Sequence, residues 1–137
     1  MTDATEKVAK SDAEWRKELG PDEFAVLRKK GTEPSYSHPY HDIKEEGVFR
    51  CRGCGAELFS SNTKFDSRTG WPSFSQPISE DGIKTAVDHE IGSSRTEVMC
   101  ARCGGHLGHV FDDGPPPTGL RYCLNGVSLK LDTEAAD

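Results

Sequence analysis

Apolar positions are sparse along the chain, and their spacing changes character at Gly47. Before that point the pattern is helical. Ser11-Asp12-Ala13-Glu14 has the spacing of a capping box, and Trp15 with Leu19 makes a short apolar stripe that Gly20-Pro21 ends. A second helix is predicted from Pro21, whose ring together with Asp22 and Glu23 suits a first turn, through Phe24, Leu27 and Arg28 to a stop at Gly31. Residues 32–41 carry prolines, hydroxyl residues and tyrosines without a helical period, and are expected to form an ordered loop lying over the domain.

Beyond Gly47 the runs are short and strand-like: Val48-Phe49-Arg50-Cys51, Glu57-Leu58-Phe59, Glu97-Val98-Met99-Cys100 and residues 127–131, set apart by glycine, proline and serine. The expected fold is mainly β with short N-terminal helices. Residues 121–131 read as one strand, whose period of two puts Arg121, Cys123, Asn125, Val127, Leu129 and Leu131 on one face, polar at its start and apolar at its end. Gly104, Gly105 and Gly108 argue against a helix around His106 and His109, which are placed on a strand or its rim. The proline-rich segment 114–119 reads as a stiff loop and not as a linker, because strand-like sequence follows at once.

A length of 137 residues fits one domain, and 34% hydrophobic with 29% charged residues is near the lower limit for a single core, so a staple would help. With 17 basic against 23 acidic residues the formal charge is −6, which gives no electrostatic reason to bind nucleic acid or an anionic membrane. Neither is expected as a partner. The first fifteen residues have no apolar run and no stretch reaches transmembrane length, so the expected setting is a reducing cytoplasm, where lasting disulfides are rare. The expected organisation is a flexible segment at 1–10, one domain over 11–132 and a polar tail at 133–137, acting as a monomer.

The cysteines number five, so a closed disulfide framework would leave one over. Cys51-Arg52-Gly53-Cys54-Gly55 and Cys100-Ala101-Arg102-Cys103-Gly104 are one short motif used twice, with 45 residues between Cys54 and Cys100. Four thiolates in two tight turns are the number and softness that tetrahedral Zn²⁺ takes, and four protein ligands leave no open position, so the metal expected is structural. The alternatives are two redox pairs, four buried thiols, or a Cys₂His₂ set of Cys100, Cys103, His106 and His109 that would strand Cys51 and Cys54.

Cys123 shares its face with Arg121 and Asn125, and a nearby guanidinium favours the reactive thiolate, although a small buried hydrophobe is the commoner fate of a free cysteine. His106 and His109 lie near Asp112 and Asp113 in sequence; an imidazole can exchange protons at neutral pH, and Asp113 could orient it, so a Cys-His pairing for nucleophilic chemistry is open beside a plain core role for either histidine. Trp71 and Phe74, on the proline-stiffened Gly70-Trp71-Pro72-Ser73-Phe74, are candidates to wall an apolar pocket or else belong to the core.

These residues together resemble the methionine sulfoxide reductases of the B type, which act on the R epimer at sulfur. The resemblance runs from about Trp15 to Leu131, through Gly31-Thr32-Glu33, both cysteine motifs, Lys64-Phe65-Asp66-Ser67, Gly70-Trp71-Pro72-Ser73-Phe74, Arg95-Thr96-Glu97-Val98, His106-Leu107-Gly108-His109-Val110-Phe111 and Arg121-Tyr122-Cys123-Leu124-Asn125. It implies two antiparallel sheets in a barrel-like arrangement, with a zinc clip held by Cys51, Cys54, Cys100 and Cys103 away from the active site. It also implies reduction of methionine-R-sulfoxide, free or in proteins, in repair of oxidative damage. Cys123 would be the nucleophile that becomes a sulfenic acid, His109 and His106 the source of the proton, Arg121 an aid to ionisation, Asn125 with Asp113 the polar network, and Trp71 with Phe74 the substrate-binding aromatics.

Many members of that family carry a resolving cysteine just before the Gly-Trp pair, where this chain has Ser67-Arg68-Thr69. With four cysteines assigned to zinc, the expectation is a one-cysteine cycle in which an external thiol attacks the sulfenic acid, thioredoxin first, with glutaredoxin and glutathione behind it. Two other classes stay open at this point. A non-catalytic zinc module would need no nucleophile, and a thiol-disulfide oxidoreductase would use the paired motifs themselves.

Overall fold

The computed structural model describes residues 10–88 and 95–133. The expected N-terminal segment and tail therefore lie, but for Lys10 and Thr133, outside the described residues. Helix α1 (Asp12–Glu18) begins as its sequence dictates: the Ser11 hydroxyl accepts from the Glu14 N–H and the Glu14 carboxylate accepts from the Ser11 N–H, each at 3.2 Å. Helix α2 (Pro21–Lys29) starts with the Gly20 N–H donating to the Glu23 carboxylate at 2.8 Å and stops at Lys30, which takes a left-handed φ of 59°. Gly31 then has to be glycine, since a Cβ there would stand 2.9 Å from the Ala25 carbonyl oxygen. Trp15, Phe24, Val26 and Leu27 turn inward, and α2 packs on the strand that carries the two histidines.

Among the described residues nine strands follow in two antiparallel sheets: β1 (Val48–Cys51), β2 (Glu57–Ser60), β3 (Lys64–Phe65), β4 (Ser73–Phe74), β5 (Ile83–Asp88), β6 (Arg95–Cys100), β7 (His106–Phe111), β8 (Arg121–Leu124) and β9 (Leu129–Asp132). The smaller sheet has the order β2-β1-β9 and the larger β3-β4-β8-β7-β6-β5. The mainly β reading with short N-terminal helices is what the chain adopts. The barrel-like closure is not: among the described residues the larger sheet ends in β3 and β5, which do not pair with each other. Strands β3 and β4 have two residues each, too short to close a ring of hydrogen bonds.

The core lies between the sheets and is built on aromatic contacts. Phe74 of β4 stacks on Phe59 of β2 at 4.8 Å between ring centroids and meets Phe49 of β1 edge-on at 5.1 Å, while Tyr122 of β8 lies 5.6 Å from Phe59. Leu107, Leu124, Leu129 and Val98 complete it, all fully buried. The loop at 32–41 does lie over the domain: the Tyr40 hydroxyl accepts the Leu131 N–H at 3.0 Å and its ring meets Phe49.

The single strand expected over 121–131 is two strands in different sheets. β8 stops at Leu124, the chain turns through Asn125 and a 3-10 turn at Gly126–Ser128, and β9 then joins β1. The cause is Asn125, whose buried side chain accepts the Glu33 N–H at 3.0 Å and donates to the Leu107 carbonyl at 3.0 Å, bonds that a continuing strand could not offer. Gly126 makes the turn possible, because a Cβ would come within 2.5 Å of the His38 ring. Period two therefore holds for residues 121–124 and fails after them: Tyr122 and Leu124 enter the core, and Arg121 and Cys123 face away from it.

Candidate active site and sulfur cluster

Strand register builds the site. β8 is flanked by β4 and β7, and the pairing puts Ser73 and His109 on either side of Cys123 in one row across the sheet. Side chains so opposed have Cβ atoms about 4.5–5.5 Å apart. The next row on β7 and β8 pairs Phe111 with Arg121, and the guanidinium lies 4.4 Å over the Phe111 ring. A cleft of about 250 Å³ opens on this face, lined by Cys123, His109, Phe111, Arg121, Trp71 and Thr69 among others.

Trp71 is held as a wall by its indole N–H, which donates to the Glu33 carbonyl at 2.9 Å. Glu33 is also the residue whose N–H reaches Asn125, and its carboxylate accepts the Val127 N–H at 2.9 Å. One buried loop residue therefore fixes both the tryptophan and the asparagine that border the cleft. Thr69 Oγ1 stands 3.7 Å from Cys123 Sγ, so the segment before Gly70-Trp71 does face the sulfur. Burial pushes the Cys123 thiol above its ordinary value, opposed by hydrogen bonds from Thr69 and Ser73 and by the Arg121 charge.

The two histidines are not equivalent. His109 lines the cleft in the row of Cys123. His106 does not line it: its Nδ1 is 2.7 Å from Glu97 Oε2, while Lys30 Nζ sits 3.3 Å from the other carboxylate oxygen. Burial pulls the His106 pKa down, with Glu97 working against it. The rings meet edge to face at 5.5 Å, so His106 backs His109. Asp113, expected beside a histidine, lies elsewhere. It is exposed and takes both arms of Arg121 at 2.9 and 3.3 Å, since β8 brings that guanidinium nearer than either imidazole, and its own pKa is held down by that bond. Phe74, expected in the pocket wall, points from β4 into the core, and the aromatic that lines the cleft in its stead is Phe111.

Sequence reasoning missed Glu97, Glu33 and Phe111. For Glu97 a partial signal was present: an acid beside the apolar Val98 in a strand-like run needs a partner if the strand is buried. Glu33 and Phe111 carry no such mark, because their roles arise from contacts across the fold.

Away from the cleft, the four cysteines of the paired motifs converge, with their sulfurs all within 4.8 Å of one another. Cys51 Sγ is 3.6 Å from Cys103 Sγ and Cys54 Sγ is 3.6 Å from Cys100 Sγ. A tetrahedral ion with bonds of about 2.3 Å needs sulfurs roughly 3.8 Å apart, so the cluster fits a zinc site. The two turns are built alike: Cys51 N–H donates to Ala56 O and Gly55 N–H to Cys51 O, as Cys100 N–H does to Gly105 O and Gly104 N–H to Cys100 O. Gly55 and Gly104 both take positive φ, 82° and 78°, which explains the glycine after each second cysteine. The mixed Cys₂His₂ set does not form, since His106 is taken by Glu97 and His109 faces the cleft.

A thiol in one row with an imidazole and beside a guanidinium on the wall of a cleft, with the sulfur cluster outside that lining, defines a site for thiol chemistry on a β scaffold. The SelR domain matches residues 19–133. The chain is 50% identical over 128 residues to a peptide methionine sulfoxide reductase MsrB of Leptospira interrogans, covering 93% of this chain and 98% of that protein. It is 54% identical over 131 residues to the protein of that name from Methanosarcina barkeri, covering 96% and 92%, and 52% identical over 128 residues to that of Acinetobacter baumannii, covering 93% and 92%. The chain belongs to the SelR domain family, that of the MsrB methionine sulfoxide reductases.

Proposed function

We propose that this protein reduces methionine-R-sulfoxide, free or in proteins, to methionine through a sulfenic acid on Cys123, as a repair of oxidative damage. The observation that carries the reading is the row in which Cys123 and His109 stand side by side at the floor of the cleft. The Cys123 thiolate attacks the sulfoxide sulfur while His109 gives a proton to its oxygen. The S–O bond of the protonated sulfoxide then breaks, the oxygen passes to the Cys123 sulfur as S–OH, and the S–S bond made in the attack opens with its electron pair left on the sulfur of the departing methionine. Of the two histidines His109 is the proton donor, because it borders the cleft, and His106 positions it. Trp71 and Phe111 wall the apolar part of the substrate, and Arg121 adds positive charge beside the sulfur.

The metal is zinc, held by Cys51, Cys54, Cys100 and Cys103, and with four thiolates it serves structure. Those cysteines are gathered away from the cleft, which leaves Cys123 without a thiol neighbour there. This supports a cycle in which an external thiol attacks the sulfenic acid, releasing water and forming a mixed disulfide that a second thiol of the reductant resolves. Thioredoxin is the first candidate, with glutaredoxin and glutathione behind it. No helix among the described residues is long and apolar enough to cross a membrane. The reading is of a cytoplasmic monomer with one domain over 11–132.

The test is steady-state turnover of both sulfoxide epimers with thioredoxin, glutaredoxin or a small dithiol as electron source. Turnover of the R epimer that disappears in Cys123→Ser with metal content unchanged is expected. A stable intramolecular disulfide at Cys123 in the oxidised, metal-loaded protein would sink the recycling scheme.

A further inference from the structure

A chain of hydroxyls ends at the Cys123 sulfur, and the mechanism above makes no use of it. Ser73 Oγ lies 2.7 Å from Ser67 Oγ, Ser67 Oγ 2.8 Å from Thr69 Oγ1, and Thr69 Oγ1 3.7 Å from Cys123 Sγ. At the far end Ser73 Oγ is 3.1 Å from the Trp71 carbonyl oxygen, and the Trp71 N–H reaches Thr69 Oγ1 at 3.4 Å. Ser73 is fully buried and comes from the strand next to Cys123, so the chain is anchored in the sheet and not hung from a free loop.

Each hydroxyl has one proton to give and can accept as well. The chain therefore has two self-consistent settings. With Cys123 a thiol, its S–H donates to Thr69, Thr69 to Ser67, Ser67 to Ser73 and Ser73 to the Trp71 carbonyl. With Cys123 ionised the bonds between hydroxyls and to the sulfur reverse, while the Ser73 bond to the Trp71 carbonyl is given up: Ser73 donates to Ser67, Ser67 to Thr69, and Thr69 to the sulfur. A fixed donor would suit one state of the sulfur only.

Such a device answers a need visible in the site. Burial opposes charge on Cys123, and Arg121 shares its own charge with Asp113. The titratable groups lining the cleft around Cys123 are His109 on β7 and Arg121 on β8, with Asp113 behind Arg121, while β4 and the segment before it bring hydroxyls and the exposed Asp66 and Arg68 stand outside the lining.

We propose that Thr69 is a further catalytic residue, whose hydroxyl donates to the Cys123 sulfur whenever that sulfur carries negative charge, with Ser67 as the positioning residue that aims its proton. This rests on Cys123 being the nucleophile.

The test reads the sulfur directly. In the zinc-loaded protein, the rate of Cys123 alkylation by iodoacetamide is followed against pH by peptide mass, beside R-sulfoxide turnover and metal content. Thr69→Val is expected to move the alkylation midpoint up by about one pH unit and to slow alkylation at neutral pH about tenfold, with kcat falling and KM little changed. Thr69→Ser restores both, and Ser67→Ala gives a smaller shift in the same direction. A Thr69→Val midpoint equal to that of the unaltered protein, or equal shifts in Thr69→Val and Thr69→Ser, overturns the proposal. Full R-sulfoxide turnover in Cys123→Ser would instead overturn the nucleophile assignment beneath it, and the alkylation result keeps the two failures apart.

Discussion

His106 and His109, three residues apart on β7, differ in role as well as in place. His109→Asn should lower kcat for R-sulfoxide reduction by about 10²–10⁴-fold with only a modest fall in melting temperature, because a cleft-lining proton donor is lost and a polar amide still fills part of the place beside His106. His106→Asn should do the converse in part, with a smaller loss of kcat and a lower melting temperature, since Glu97 and Lys30 would be left around a gap. Equal effects of the two changes would contradict the division of labour. The Cys123 thiol carries a second expectation. Burial disfavours the charged form, so its alkylation rate should climb with pH through neutrality and reach its midpoint above the value of about 8.5 for a free cysteine; a midpoint below that would mean that Arg121 and the hydroxyls outweigh burial.

At the scale of elements, Asn125 holds the change of sheet between β8 and β9. Asn125→Ala leaves the Glu33 N–H without its partner, at about 1–3 kcal/mol for a buried group, while the Leu107 carbonyl keeps the backbone N–H of residue 125, and the loss should appear as a lower denaturant midpoint before any effect on substrate affinity. Phe74 and Trp71 separate along the same line. Phe74→Ala should cost about 3–5 kcal/mol of stability with KM unaltered for the folded fraction, whereas Trp71→Ala should raise KM. Helix ends, the paired turns and the β texture could be read from the chain because each is decided by neighbours within a few residues: Ser11 with Glu14, Pro21 with Glu23, each cysteine pair with its glycine. Cys123 and Trp71 could be picked out in the same way. What escaped was set by distant partners. Nothing near Asn125 says that Glu33 will meet it, and nothing near Asp113 says that Arg121 will reach it before a histidine does.

For the whole molecule, the sulfur cluster and the β8–β9 crossing are two separate ties between the same pair of sheets. Cys51 ends β1 in the smaller sheet and Cys100 ends β6 in the larger, so a metal ion held there would fasten them at one place while Asn125 leads the backbone across at another. Removing the metal with a strong chelator should therefore unfold the domain, and activity should vanish together with the aromatic near-ultraviolet dichroism and return when zinc is restored, although no metal ligand touches the cleft. Loss of metal with a fully retained dichroism signal would show that the backbone crossing suffices alone.

The place of β9 beside β1 also sets an order of events at the ribosome. β1 pairs from Val48 to Asp132, so the smaller sheet cannot be completed until almost the last described residue has been made. Cys54 must wait for Cys100, 46 residues later, which at usual rates of synthesis is about 2–9 s. During that interval the first cysteine pair is a bare dithiol on an unfinished chain. The newborn protein is thus open to the oxidants whose damage the finished one is proposed to repair, and its yield in a stressed cell should depend on how quickly zinc and the second pair arrive.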